Sequence, residues 1–211
     1  MKHPPIRLLC VERLSAEIAS AVQVLDAGAG GRRLAPHCTT VDVVAIPGTD
    51  VVADICSSVP FPDECFDLVI CTSVLEHVED PESALRELRR VTRRGGRIWL
   101  EVPFIYHFHV SSWADRADFR RWTFEGARRL LPGDHLLEYG INVGIGTSLR
   151  LMAAETLATP LYAERHQGAY YLARWLFSWL MYPLSWLDRY KNPDGPANRT
   201  AGGFWLLFEK S

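Results

Sequence analysis

Val24-Leu25-Asp26-Ala27-Gly28-Ala29-Gly30-Gly31 is a short buried-type strand that breaks into a glycine turn. Three glycines in four positions leave backbone exposed where a ligand can approach without meeting a β-carbon. In an open α/β sheet the crevice at the carboxyl ends of the strands is the expected binding site. Two readings follow from the turn alone: a cradle for a nucleotide-like cofactor, or a tight strand-to-helix connection that binds nothing.

Outward from this stretch the pattern is strand, turn, strand, helix, strand. Val22 to Asp26 is the first strand, Thr39 to Val44 the second, Asp50 to Ile55 the third and Phe66 to Cys71 the fourth. The near-continuous apolar character of these runs suits strands buried on both faces of a parallel sheet. Pro81 to Arg94 is the clearest helix. Asp80 suits its N-cap and Pro81 its first position. Ala84, Leu85, Leu88 and Val91 make one apolar stripe, and Arg89, Arg90, Arg93 and Arg94 complement the dipole at its end, before Gly95-Gly96. Arg97 to Val102 reads as a fifth strand, Thr123 to Leu131 as a helix, and Leu136 to Tyr139 and Phe204 to Phe208 as later strands. Alternation of this kind implies right-handed crossovers and a three-layer α/β sandwich.

The 211 residues are enough for one such domain, and 48% hydrophobic with 23% charged residues is ordinary for a soluble globular chain. A net charge of −2 excludes nucleic-acid binding by bulk positive charge. The five cysteines have no C-x-x-C spacing, and their scatter suits a reducing cytoplasm. Residues 1–21 carry acids within their apolar stretch, unlike a signal peptide, and read as a helical lead-in.

A dinucleotide fingerprint needs a third glycine for close helix–strand packing, and that position is Arg33. The nicotinamide reading is therefore weakened. Acidic groups stand instead at successive strand ends: Asp26, Asp42 and Asp54. A cofactor with an ammonium, ribose hydroxyls and an adenine amine needs such acceptors.

The segments VLDAGAGG, TVDVV, DVVADI, VPFPDECFDLVICTSVLEHVEDPESALRELRRVTRRGGRIWLEVPF and ADFRRWTFEGARRLL follow one another over residues 22 to 145. Together they resemble the type 11 group of class I S-adenosylmethionine-dependent methyltransferases. The resemblance implies a mostly parallel, seven-stranded, Rossmann-like sheet with a C-terminal helical insertion before the last strand. It divides the single domain into a cofactor core at 22–145, a helical cap at 146–200 and a final strand at 201–211. It also implies roles by position. Gly28, Ala29 and Gly30 would pass under the methionine part, with Asp26 supporting the loop and the ammonium. Asp42 would hold the ribose, Asp54 and Ile55 would frame the adenine, and Cys71 and Thr72 would offer backbone groups to the methionine moiety. Leu75-Glu76-His77 would line the reaction side.

A finer likeness is to methyltransferases of cell-surface polysaccharide and glycolipid clusters, which carry a motif like H-D-Y-W-R-[FY]-T-P-E-G. Here Asp118, Arg121, Thr123, Glu125 and Gly126 match, while Ala117 replaces the histidine. Some quinone O-methyltransferases place a metal on E-x-x-E-H. The corresponding residues are Ser73, Glu76 and His77, so the first carboxylate is missing and no metal is expected.

Methyl transfer to a hydroxyl is helped by a base, for which His77, His107 and His109 are the candidates. Each competes with the reading of a packed loop histidine. Arg121 is read as a substrate group and Asp118 as its structural partner. The expected function is methyl transfer to a small-molecule, saccharide or glycolipid acceptor. The alternative is a degenerate protein of the same fold that binds without catalysis, motivated by Ala117. Residues 169–187, AYYLARWLFSWLMYPLSWL, are strongly apolar, with Pro183 inside and Arg165, Arg189 and Lys191 flanking. They read as a cap helix or homodimer interface, or as a helix lying in a membrane interface at the cytoplasmic face. A membrane span is disfavoured by Arg174 and Pro183.

Overall fold

Val24–Ala27 forms β1 with all four residues buried, and it stands at the middle of the sheet. The computed structural model describes residues 2–6, 8–109, 117–163 and 167–211; the basic flank Arg165 lies outside them. The other strands are β2 (Cys38–Asp42), β3 (Val51–Val52), β4 (Phe66–Thr72), β5 (Thr92–Pro103), β6 (His135–Val143) and β7 (Gly203–Glu209). Their order is β3-β2-β1-β4-β5-β7-β6, and only β7 runs against its neighbours. The order reverses between β1 and β4, which opens a crevice at their carboxyl ends.

Each face of the sheet has its own apolar layer. On one side lie α2 (Pro81–Val91) and α3 (Phe124–Ala127), with Leu85, Leu88 and Val91 packed on Val69, Ile98 and Phe208. On the other, α1 (Val11–Ser20) sets Leu14 and Ile18 against Val24, Ile70, Trp99 and Trp205. The indoles of Trp99 and Trp205 stack at 4.6 Å, nearly parallel, on adjacent antiparallel strands.

The strand–helix alternation is incomplete. No helix joins β1 to β2 or β2 to β3, and residues 28–37 and 43–50 are short loops. Glycines make these crossovers compact. A β-carbon on Gly48 would stand 2.6 Å from the Gly31 carbonyl oxygen, and both residues have positive φ. Arg33 ties the loops together, donating to Asp50 at 2.5 Å, while Asp50 accepts from the Thr40 amide at 2.9 Å. The third strand is accordingly two residues long rather than six, and Asp54 and Ile55 follow it.

Asp80 accepts from the Ser83 amide at 3.0 Å and caps α2 as expected. The helix ends at Val91, three residues earlier than expected. Lys210 claims the backbone of the glycine pair: its amide donates to the Gly96 carbonyl and its carbonyl accepts from the Gly95 amide, both at 2.9 Å. Arg93 and Arg94 thus begin β5 instead of ending α2. In the same way α3 is shorter than the expected 123–131, and β6 runs on to Val143.

Between β6 and β7 lie α4 (Ile145–Ala158) and α5 (Gly168–Leu180), followed by a 3-10 segment, Tyr182–Arg189. Pro183 lies at the start of that segment, just past the end of the α-helix. The buried Asp188 accepts from the Gly146 and Thr147 amides at 2.8 and 2.9 Å, capping α4 and fixing the 3-10 segment to it. Tyr171, Leu172, Leu176, Trp179, Leu180 and Trp186 remain exposed. Among the described residues no helix is long and apolar enough to cross a membrane.

Trp99 is fully buried, so Trp99→Ala removes the stack and leaves a cavity. The expected loss is about 3–5 kcal/mol, read as a lower urea midpoint at unchanged slope.

Candidate functional site

The turn after β1 is held by β2. The Gly28 and Ala29 amides donate to the Val41 carbonyl at 2.8 and 3.3 Å, and the Gly30 amide donates to Asp42 at 3.0 Å. Gly28 adopts φ +74°, and a β-carbon there would lie 2.3 Å from Val74 Cγ2. A β-carbon on Gly30 would meet nothing within 4 Å, so this backbone faces open space.

Two cavities meet at Gly28. One, of about 370 Å³, is walled by Asp42, Asp54, Ile55 and Val78. The other, of about 680 Å³, has Gly28, Ala29 and Gly30 on one side and Glu76, Tyr106 and His109 on the other. Of the expected cofactor residues, Thr72 lines the larger cavity, while Asp26 and Cys71 are fully buried and reach neither wall. Both carboxylate oxygens of Asp26 lack a donor among the described residues. Burial pushes its pKa up to about 6, against the nearby Arg32 charge, with Asp42 and Glu101 adding to the rise.

Arg32, which sequence reasoning passed over, lines the larger cavity and donates to the Thr72 hydroxyl. Glu101 does too. It accepts from Trp99 Nε1 at 3.0 Å and Asn142 Nδ2 at 3.1 Å, joining β5 to β6 under the cavity.

Two of the three candidate histidines come together where the cavities adjoin, His77 on the wall of the smaller and His109 on that of the larger. The rings of His77 and His109 lie 4.9 Å apart, edge to face. His77 Nδ1 is 2.9 Å from the Ala117 carbonyl oxygen. His109 Nδ1 is 3.3 Å from the His107 carbonyl oxygen and 3.4 Å from Asp118 Oδ2. All these partners only accept, so Nδ1 carries the hydrogen in each neutral ring and Nε2 keeps its lone pair. Both Nε2 atoms stand 3.9 Å from Glu76 Oε1. Glu76 is buried and its Oε2 has no donor among the described residues; burial pushes its pKa up to about 7, against its own backbone amide and the Arg121 charge. Burial also lowers the pKa of His109.

His107 is placed differently. Its ring stacks on Tyr106 at 4.7 Å, its Nδ1 is buried without a hydrogen-bond partner among the described residues, and it lines neither cavity. Arg121 also departs from its expected role. Its donors bond Asp118 twice and the carbonyls of Tyr106, His107 and Arg120, so it clamps the loop after β5 instead of reaching the cavity. Asp118 is held near pKa 2: burial opposes ionisation, but the Arg121 guanidinium and the His109 amide outweigh it.

Residues 19–100 match the family described as a methyltransferase domain. The match covers less than half of the chain, and it takes in the strands and turns that line the two cavities. The chain is 32% identical over 153 residues to a ubiquinone/menaquinone biosynthesis C-methyltransferase of Xanthomonas campestris pv. campestris, covering 62% of this chain and 57% of that one. It is 36% identical over 107 residues to a malonyl-[acyl-carrier protein] O-methyltransferase of Halorhodospira halophila, covering 50% and 32%. The chain therefore spans well under two thirds of the length of these curated relatives. Its fold is similar to that of the Burkholderia thailandensis 1,6-didemethyltoxoflavin-N1-methyltransferase with bound S-adenosylhomocysteine, at TM-score 0.54 and 15% identity over 96% of this chain and 76% of that one.

Two outcomes are expected. Gly28→Ala costs stability through both the positive φ and the Val74 clash; adding Val74→Ala removes only the clash, so the double variant recovers part of the loss in urea. Asp26 is an acid with a raised folded pKa, so it binds its proton more tightly folded than unfolded. Stability therefore falls as pH rises from about 4 to about 6. Asp26→Asn should flatten that slope and raise the urea-derived stability at pH 7 by about 2–3 kcal/mol.

Proposed function

We propose that the chain transfers a methyl group from S-adenosylmethionine to an oxygen of a small-molecule or saccharide acceptor. The observation that carries this reading is the junction of the two cavities at Gly28. One holds acceptors for a nucleoside, and the other places an open backbone opposite a carboxylate and an oriented imidazole.

The residues present fit the cofactor. Asp42 offers carboxylate oxygens to the ribose, and Ile55 an apolar face to the adenine beside Asp54. The unpartnered Asp26 carboxylate suits an ammonium, reached through water, and Arg32 suits a carboxylate. The cofactor supplies a methyl group already activated by a sulfonium charge. The protein's task is then to align the acceptor and exclude water, where orientation is worth several kcal/mol.

His109 answers the main argument for a degenerate protein. The family histidine is replaced by Ala117, but an imidazole stands on the cavity wall from another position, with Nδ1–H directed at the His107 carbonyl and Asp118. Its lowered pKa keeps it neutral and able to take a hydroxyl proton at pH 7. The names of the relatives cover C-, O- and N-methylation; the choice of oxygen rests on this wall.

The exposed aromatic face of α5 supports docking on a membrane interface, which would suit a lipid-linked acceptor. Trp186 carries Arg189 over its ring at 3.3 Å, an amphipathic pairing common at such surfaces. Flotation with anionic liposomes should carry the protein upward. A protein that stays in the dense fraction and sediments as a dimer would assign the face to self-association instead.

Calorimetry should show binding of S-adenosylmethionine and S-adenosylhomocysteine and none of NAD. Asp42→Ala should weaken the cofactor at least tenfold, about 1.4 kcal/mol or more. His109→Ala should lower kcat by about 10²–10⁴ while leaving cofactor affinity intact. Absence of S-adenosylmethionine binding to the folded protein would remove this reading.

A further inference from the structure

The wall formed by Glu76, His77 and His109 has the composition and orientation of a metal centre. One ligand atom from each of the three lies within 4.8 Å of the others. They come from two places in the chain, a 3-10 turn after β4 and the loop after β5, so their convergence is a product of the fold. Sequence comparison counted two ligands here, because Ser73 replaces the first carboxylate of the E-x-x-E-H pattern. His109 supplies a third that no local motif reveals.

We propose that these three residues bind one divalent transition-metal ion, with its remaining positions turned toward the acceptor cavity. The proposal deepens the methyl-transfer reading and reassigns one role in it: with the ion bound, the His109 Nε2 lone pair is taken up, and the ion would receive the acceptor oxygen and lower its hydroxyl pKa in place of the free imidazole. Three observations support it. First, both imidazoles are already set as ligands: Nδ1–H is anchored on the Ala117 carbonyl, or on the His107 carbonyl and Asp118, and Nε2 faces Glu76. Outer partners of this kind fix the tautomer and ring angle of metal-binding histidines. Second, the Glu76 side chain is buried with Oε2 lacking a donor among the described residues, which is costly for a polar atom that has no other purpose. Arg121, the guanidinium whose charge acts on Glu76, is already committed to Asp118. Third, Glu76 and His109 both line the 680 Å³ cavity, which provides an entry path and room for further ligands.

The distances are compatible with loading. A tetrahedral zinc with bonds of about 2.0–2.1 Å places its ligand atoms about 3.3 Å apart. The observed 3.9 Å from Glu76 Oε1 to each Nε2 needs a closure of roughly half an ångström, and the edge between the two imidazole nitrogens, within 4.8 Å, needs up to about 1.5 Å, so loading draws the two rings together. Two imidazoles with one carboxylate favour zinc, cobalt, iron or manganese over magnesium, which prefers an all-oxygen shell.

The test is a cobalt(II) titration of chelator-treated, dialysed protein, followed by visible absorption and calorimetry. The expected result is one equivalent bound per chain, with absorption bands of nitrogen-coordinated cobalt. Glu76→Gln, His77→Ala and His109→Ala should each weaken binding at least tenfold. His135→Ala, an exposed histidine at the start of β6, should not change it. Circular dichroism confirms that each variant is folded. Folded wild-type protein that binds no cobalt, or binding that His109→Ala leaves unchanged, would overturn the proposal. S-adenosylmethionine calorimetry in the presence of chelator separates the two readings. Cofactor binding without cobalt binding removes only the metal, whereas cobalt binding without cofactor binding upholds the metal and removes methyl transfer.

Discussion

At the end of β1 there is no room for a side chain. Gly28 sits against Val74 from the segment after β4, while its amide and that of Ala29 donate to the end of β2. Three neighbouring pieces of backbone are thereby brought into contact at the point where the strand order reverses. The same close approach makes Gly28 a shared edge of the two cavities. A bulkier residue would push β4 and its following turn away from β1, and with them Glu76 and His77.

Much of the fold could be read from the chain. The buried runs of β1, β2 and β4 and the capped leucine stripe of α2 are local patterns, and they form where they were expected. The differences arise where tertiary contacts override local signals. Gly95-Gly96 looks like a helix stop, yet its backbone is taken up by Lys210 from the far end of the chain. Arg33 first mattered as a missing glycine. In the structure it is an ion-pair strut that lets two parallel crossovers do without helices. That economy leaves Val43 and Val52 exposed near the β3 edge, where longer crossovers would have covered them.

The lining of the smaller cavity was more legible than the wall around Glu76 and His109. Asp42, Asp54 and Ile55 follow their strands in order, so sequence position and spatial position coincide. The opposite wall depends on pairs far apart in the chain: His77 on the Ala117 carbonyl, Glu76 beside His109, and Arg121 folded back on residues 106 and 107. No spacing rule predicts such pairs. The arginine illustrates the difficulty, because a guanidinium close to an active cavity invites a substrate role until its donors are counted. His107 is two residues from His109 but stacks on Tyr106, away from the cavities.

The placement of β7 has a consequence for how the molecule is assembled. This strand, which follows all the others in sequence order, lies between β5 and β6 and supplies the partners of both. Arg97 on β5 pairs with Glu209, more than a hundred residues later, whereas β1, β2 and β3 find one another across short loops. Loop-closure entropy therefore favours early association of β1, β2 and β3 and late insertion at the other edge of the sheet. Until Gly203–Glu209 is in place, β5 keeps an open edge and β6 has no partner strand. Glu101, on the floor of the larger cavity, then lacks Asn142 as a partner, so the site is completed only with the arrival of the final strand.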